Sequence, residues 1–290
     1  LLESVKNNLK LKFYESLLDN GSRANMFVTS FVSGRPWDVA VGKNARIEGI
    51  TKQQIVAFLN RHFADNYVCV YKRQGEDTTI VKIDKPAITA IPSNRHLHSR
   101  FLDEITASHS DPIQPSFVDF SKDMKVFTTK QGLPVLYKHN PADGLFDLCF
   151  RYEFGKQDVK GLGLVPSYRY YIGTDKKTSA EINKEFYKLA CSYSIDVNDD
   201  QMTISLSGLS ENMPQALRLL EDFLQNAKAD RESYDNCVSL LEKTRNDAKT
   251  DQKSCFMALQ DYAKYGEYNP VTNTLSIDEL RNADPQALPD

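Results

Sequence analysis

Apolar residues near the start of the chain recur with the period of a helix. Val5, Leu9, Leu11, Phe13, Leu17 and Leu18 predict a helix over 5–18, closed by Asn20-Gly21. A shorter helix is predicted over 24–32, ending at Gly34. Thr51-Lys52-Gln53-Gln54 has the form of a capping box, with Ile55, Phe58, Leu59 and Phe63 following on one face. The pattern then turns to β-formers. Asn66-Tyr67-Val68-Cys69-Val70-Tyr71 predicts a buried strand, and 78–83 a further one.

Residues 85–118 carry Pro86, Pro92, Pro112 and Pro115 and little periodicity, which predicts an extended connector. From 119 the pattern restarts. Two alternating runs, 125–129 and 133–139, flank Gln131-Gly132 and predict a hairpin, followed by a strand over 145–154. Gly155 and Gly161 lead into a helix with Pro166 near its start, where a missing N–H costs little. Thr178-Ser179-Ala180-Glu181 caps a helix running to 190. Strands over 194–198 and 202–206 flank Asp199-Asp200. Helices follow over 213–227, 233–249 and 255–265, and Ser276-Ile277-Asp278-Glu279 caps one more. Hairpins with helices grouped between them predict an α+β fold, an antiparallel sheet covered by helices. The expected segments are 1–84, the end of an upstream α/β domain; 85–118, the connector; and 119–290, a second α+β domain. Both ends read as cut from something longer.

Composition narrows the chemistry. The 290 residues are 41% hydrophobic and 26% charged, ordinary for a globular protein. A net charge of −3 and scattered Lys and Arg give no footprint for nucleic acid, and no apolar run is long enough to span a membrane. Neither G-x-S-x-G, a P-loop nor G-x-G-x-x-G occurs. The five cysteines include no C-x-x-C pair, and Cys69 and Cys149 sit in apolar patterns where a buried, structural role is expected. Tyr14, Tyr67, Tyr71, Tyr152 and Tyr187 are expected to be half-buried. His96, His98 and His109 fall in the connector and read as solvated, although His96-x-His98 could in principle pinch a metal.

Residues 161–174 read G-L-G-L-V-P-S-Y-R-Y-Y-I-G-T. By itself this suits a buried helix bounded by Gly and Thr. It also resembles the frame G-L-x-H-x-x-E-H-x-x-x-x-G-T of the pitrilysin/insulysin peptidases, in which H-x-x-E-H binds Zn²⁺ and supplies a base. On that frame Leu164 and Tyr168 occupy the histidine positions and Ser167 the glutamate position. None of the three can do the chemistry: leucine has no lone pair, serine is no base near neutral pH, and tyrosine is a poor zinc ligand. The element order fits the same family. So do Ile50 to Ile55 with Phe63, 66–72, Lys85-Pro86-Ala87-Ile88-Thr89, Gly132-Leu133-Pro134-Val135 and the run from Ile204 to Pro214.

The resemblance implies four related α+β domains in two halves, with zinc in the first and a copy without it in the third. The family's remaining glutamate ligand would fall on Lys243, Thr244 or Arg245. Glu242 is one residue away, a slip of about 100° around a helix. The segment is therefore expected to be non-catalytic and to hold no zinc. Its parent would be a zinc endopeptidase whose metal is bound upstream. The implied partners are a peptide or unfolded polypeptide and the other half of the same protein, with a second copy left open. The implied compartment is the periplasm or cell envelope of a bacterium. The other reading is an inactive scaffold or partner subunit of a peptidase-like complex.

Overall fold

The computed structural model describes residues 1–72, 74, 75, 81, 83–90, 93 and 95–287. It divides into two compact units, Leu1–Ala57 with Asn140–Asp290, and Phe58–His139.

The chain opens with α1 (Leu2–Ser16), α2 (Asn20–Val32), α3 (Trp37–Val41), α4 (Lys43–Glu48) and α5 (Lys52–His62). Asn20-Gly21 begins α2 rather than closing α1. The Asp19 carboxylate accepts the Ser22 N–H at 2.5 Å, and this cap outweighs the glycine as a stop signal. The capping box of α5 forms as read. Thr51 N–H donates to Gln54 Oε1 at 2.8 Å, and Gln54 N–H to Thr51 Oγ1 at 3.3 Å. The sequence reading missed α3 and α4, which at five and six residues are too short to show a period.

In the unit Phe58–His139, residues 66–70 form no strand, and Val68 is 92% exposed. Strand propensity measures fit to a half-buried pleated surface, and among the described residues none pairs with this run. Cys69, Tyr67 and Tyr71 are exposed for the same reason, not buried or half-buried as expected. Most of the strand expected over 78–83 lies outside the described residues. Within the proline-bearing stretch a helix forms, α6 (Arg100–Ala107). Ser99 accepts the Leu102 N–H, and Arg100 pairs with Glu104 at 2.8 Å one turn on. Next come the short α7 (Phe120–Asp123) and the hairpin β1 (Lys125–Thr128) with β2 (Pro134–Tyr137), where Gly132 supplies a φ of +88°.

Residues 140–290 hold β3 (Leu145–Tyr152), a 3₁₀ turn (Lys160–Leu164), α8 (Val165–Tyr168), β4 (Gly173–Thr174) and α9 (Ser179–Lys188). Then come β5 (Cys191–Val197), β6 (Met202–Leu209), α10 (Met213–Gln225), β7 (Ala227–Lys228), α11 (Arg231–Ala248), α12 (Gln252–Tyr265) and α13 (Ile277–Asn282). The sheet runs β3-β6-β5, all antiparallel, with Leu148 opposite Leu206 and Ile195 opposite Ile204. The α+β architecture is as read. Along β6 the two-residue period sends Ile204 and Leu206 inward. They meet Ile182 and Phe186 of α9, Leu220 and Phe223 of α10, and Tyr234 and Val238 of α11 in one core. On β3 the same alternation packs Phe146 and Leu148 against that core and leaves Cys149 exposed, against expectation. The buried cysteines are Cys191 and Cys237. Gly208 is where β6 passes α9's end: a Cβ there would lie 2.4 Å from the Ala190 carbonyl oxygen.

Candidate functional site

The degenerate motif lies on the 3₁₀ turn and α8. Val159 closes the preceding loop by hydrogen bonds, and Pro166 sits in the first turn of α8 as the sequence predicts. The expected single helix is instead one 3₁₀ segment followed by a single α turn. Leu164 and Tyr168 are four residues apart and therefore share a face. Both point into the core, Leu164 4% and Tyr168 0% exposed, whereas Ser167 is exposed to solvent.

Tyr168 meets Tyr234 of α11 edge-on, with ring centroids 5.2 Å apart and planes at 82°, the geometry that aromatic quadrupoles favour. Tyr234 anchors this contact by donating its hydroxyl to the Leu280 carbonyl at 2.9 Å, tying α11 to α13. The buried Tyr168 hydroxyl makes no hydrogen bond. Burial pushes its pKa up to about 12, and the Asp230 N–H, outside hydrogen-bond geometry, only tempers the rise. The phenol is therefore protonated at neutral pH, when a metal ligand would have to be phenolate. Burial also raises the Tyr234 and Cys237 pKa values.

This donor set does not fit Zn²⁺. Leu164 offers no atom, Tyr168 offers a neutral hydroxyl, and Ser167 faces away. Among the described residues, no group of three or more His, Cys, Asp or Glu side chains is placed to hold a metal ion. The α11 residue that meets Tyr168 is Tyr234, and Lys243 lies nine residues further along, about 13 Å at 1.5 Å per residue. Lys243 is exposed. The Thr244 hydroxyl donates to Leu240 O at 2.9 Å, and Arg245 donates to Leu275 O at 2.7 Å. Glu242 pairs with Arg281 at 2.6 Å. The structure thus brings Leu164 and Tyr168 together and leaves Ser167 and 243–245 apart from them. His96, His98 and His109 are exposed, and His109 lies 3.5 Å from Asp111.

Beyond Tyr168 the motif runs along the surface. The Arg169 guanidinium stacks 4.1 Å from the Tyr170 ring centroid and donates to the Tyr193 carbonyl. Tyr170, Tyr171 and Thr174 then line an open cleft of about 760 Å³ with Lys177, Asn183 and Lys228. Two of its three lysines are answered locally, Lys177 by Glu185 at 2.7 Å and Lys228 by Asp175. The sequence reading missed Tyr234 and this cleft. A tyrosine facing Tyr168 from some sixty residues away leaves no local signal, while the cleft depends on the two-residue pairing of β4 with β7.

No family model and no curated protein matches the chain. Among solved structures, the fold is similar to that of the ferredoxin protease FusC, crystallised as a variant in complex with Arabidopsis ferredoxin. That match has a TM-score of 0.50 and 12% identity, covering 93% of this chain and 32% of that one. It is also similar to a peptidase M16 inactive domain from Pseudomonas fluorescens, with a TM-score of 0.50 and 16% identity over 57% of this chain and 42% of that one. The fold is that of the pitrilysin-type peptidases, including a domain described as inactive. The chain spans less than half the length of either relative.

Proposed function

We propose that this chain is a non-catalytic segment of a longer, zinc-dependent endopeptidase of the pitrilysin type. The observation that supports it is the packing of Leu164 and Tyr168 against Tyr234 at the positions where that family's active domains present histidines. An aromatic pair inside an apolar core stabilises the domain and leaves no room for a metal and its water. On this reading the zinc, its histidines and the general base belong to an upstream domain, where a metal-bound water would attack the peptide carbonyl. This segment forms part of the wall enclosing a polypeptide substrate. The FusC structure, which holds a protein ligand, favours a polypeptide over a small molecule. On this reading the parent acts in a bacterial cell envelope, which fractionation of the producing cells would check. Among the described residues, no helix is long and apolar enough to cross a membrane.

The test is peptide cleavage by the full-length protein and by this segment in parallel, with and without a zinc chelator. The expected result is chelator-sensitive cleavage by the full-length protein alone. Cleavage by the isolated segment overturns the reading of Leu164, Ser167 and Tyr168 as a dead site. Silence from both favours the other reading, an inactive scaffold or partner subunit.

A further inference from the structure

Asn20-Gly21, the chain's only Asn-Gly pair, has no part in that function. It is the dipeptide in which a backbone nitrogen most readily reaches the preceding side-chain carbonyl, because glycine has no Cβ to block the approach. Both residues are exposed, in the first turn of α2, where N–H groups lack intrahelical acceptors. We infer that Asn20 is a site of spontaneous deamidation and that the Asp19 cap sets its rate.

The Gly21 backbone nitrogen loses its proton to solvent and attacks Asn20 Cγ. A new N–Cγ bond forms, the Cγ–Nδ2 bond breaks, and ammonia leaves. Water then opens the five-membered imide at either carbonyl, giving aspartate or isoaspartate, and no redox partner is needed. The folded turn opposes the first step in two ways. Helical torsions at Asn20 hold the Gly21 nitrogen away from Cγ, and the Asn20 side-chain oxygen is held by Arg23. The Asp19 carboxylate secures this turn through its bond to Ser22 N–H. The reaction therefore proceeds when the first turn opens. The aspartate product leaves an acidic residue at the start of α2 beside Arg23, a favourable place for it. The isoaspartate product adds a methylene to the main chain and displaces the start of the helix.

The test is peptide mapping by mass spectrometry after incubation of the folded chain at mildly alkaline pH. The expected result is replacement of NH₂ by OH at Asn20 ahead of every other asparagine, and strong slowing in Gly21→Ala. Asp19→Ala should react about fivefold faster, the change in open turn expected for loss of a cap. Asp19→Asn keeps a cap of equal rank and should stay near the parent rate. No product at Asn20, or an Asp19→Ala rate equal to the parent's, overturns the inference. So does an Asp19→Asn rate equal to that of Asp19→Ala, because charge rather than capping would then be in control.

Discussion

Two stretches of this chain, both supplied with aromatic and branched residues, have opposite fates. All the buried hydrophobic side chains among the described residues lie between Leu164 and Leu280. Between Phe58 and His139 no described residue is buried, although Phe63, Val68, Val70, Phe101, Ile113 and Phe117 all occur there. The difference is not in composition but in partners. In the first stretch β6 has a strand on each side and helices over one face, so each inward residue meets several others. In the second, the described residues form one two-stranded hairpin and short helices, and among them no apolar face is closed over. An isolated hairpin of this kind is at best marginally stable.

The sharpest way to break this comparison is to cut one large side chain from each stretch. Tyr168→Ala should destabilise the chain by about 3–5 kcal/mol, since it empties a fully enclosed site lined by Tyr234 and its neighbours. Ile113→Ala, at a side chain 97% exposed, should change stability by less than about 0.5 kcal/mol. Urea unfolding of both variants measures the two effects. Equal losses would mean that Phe58–His139 has a core that its exposure denies.

How much of this was legible beforehand follows the same division. Where a Thr or Ser cap is followed three residues on by Glu or Gln, the residues announced the outcome, whereas at the equally local Asp19 cap of α2 the pair Asn20-Gly21 reads as a stop. Thr178 with Glu181, Ser276 with Glu279 and Thr51 with Gln54 all form capping boxes, and the hairpin at Gly132 closes as read. Residues 66–71 misled because their β-forming character is local while a strand is a paired object. Cys149 misled because an apolar run does not say which of its two faces will be covered. The site shows the same limit. Leu164, Ser167 and Tyr168 could be picked out as chemically empty from residue type alone. That Tyr168 would be enclosed by Tyr234 could not, since that contact depends on where α11 crosses α8. The short α3 and α4 lack the length to show a period at all. By contrast, α6 carries Phe101, Leu102 and Ile105 at helical spacing, within a stretch that its prolines make read as extended.

A subtler prediction distinguishes the two tyrosines at the motif. Tyr234→Phe removes the hydroxyl's bond to the Leu280 carbonyl, which keeps the Ala283 N–H as a donor at 3.2 Å. The loss should be about 1 kcal/mol. Tyr168→Phe removes a hydroxyl that is buried and already unpartnered, so it should be neutral or slightly stabilising. Thermal or denaturant midpoints of the pair would show it. If Tyr168→Phe proved the costlier change, its hydroxyl would have a partner, and the view of the motif as pure packing would fail.

The smallest effect concerns the helix starts in the well-packed stretch. Hydrogen bonds from the backbone at Thr178, Ser233 and Ser276 hold the carboxyls of Glu181, Asp230 and Glu279 below their ordinary pKa values. A carboxyl whose folded pKa is depressed binds protons more readily in the unfolded chain. Its contribution is therefore present above the unfolded pKa and is lost as the pH falls through the folded one. Stability should be flat near neutrality and decline below the ordinary carboxylate range. Replacing Glu181 and Glu279 together by Gln, which can still reach back to the cap but cannot titrate, should shallow that decline. Midpoints from urea unfolding across an acid series would measure the slope. An unchanged slope would place the acid sensitivity elsewhere, in carboxyls outside these caps.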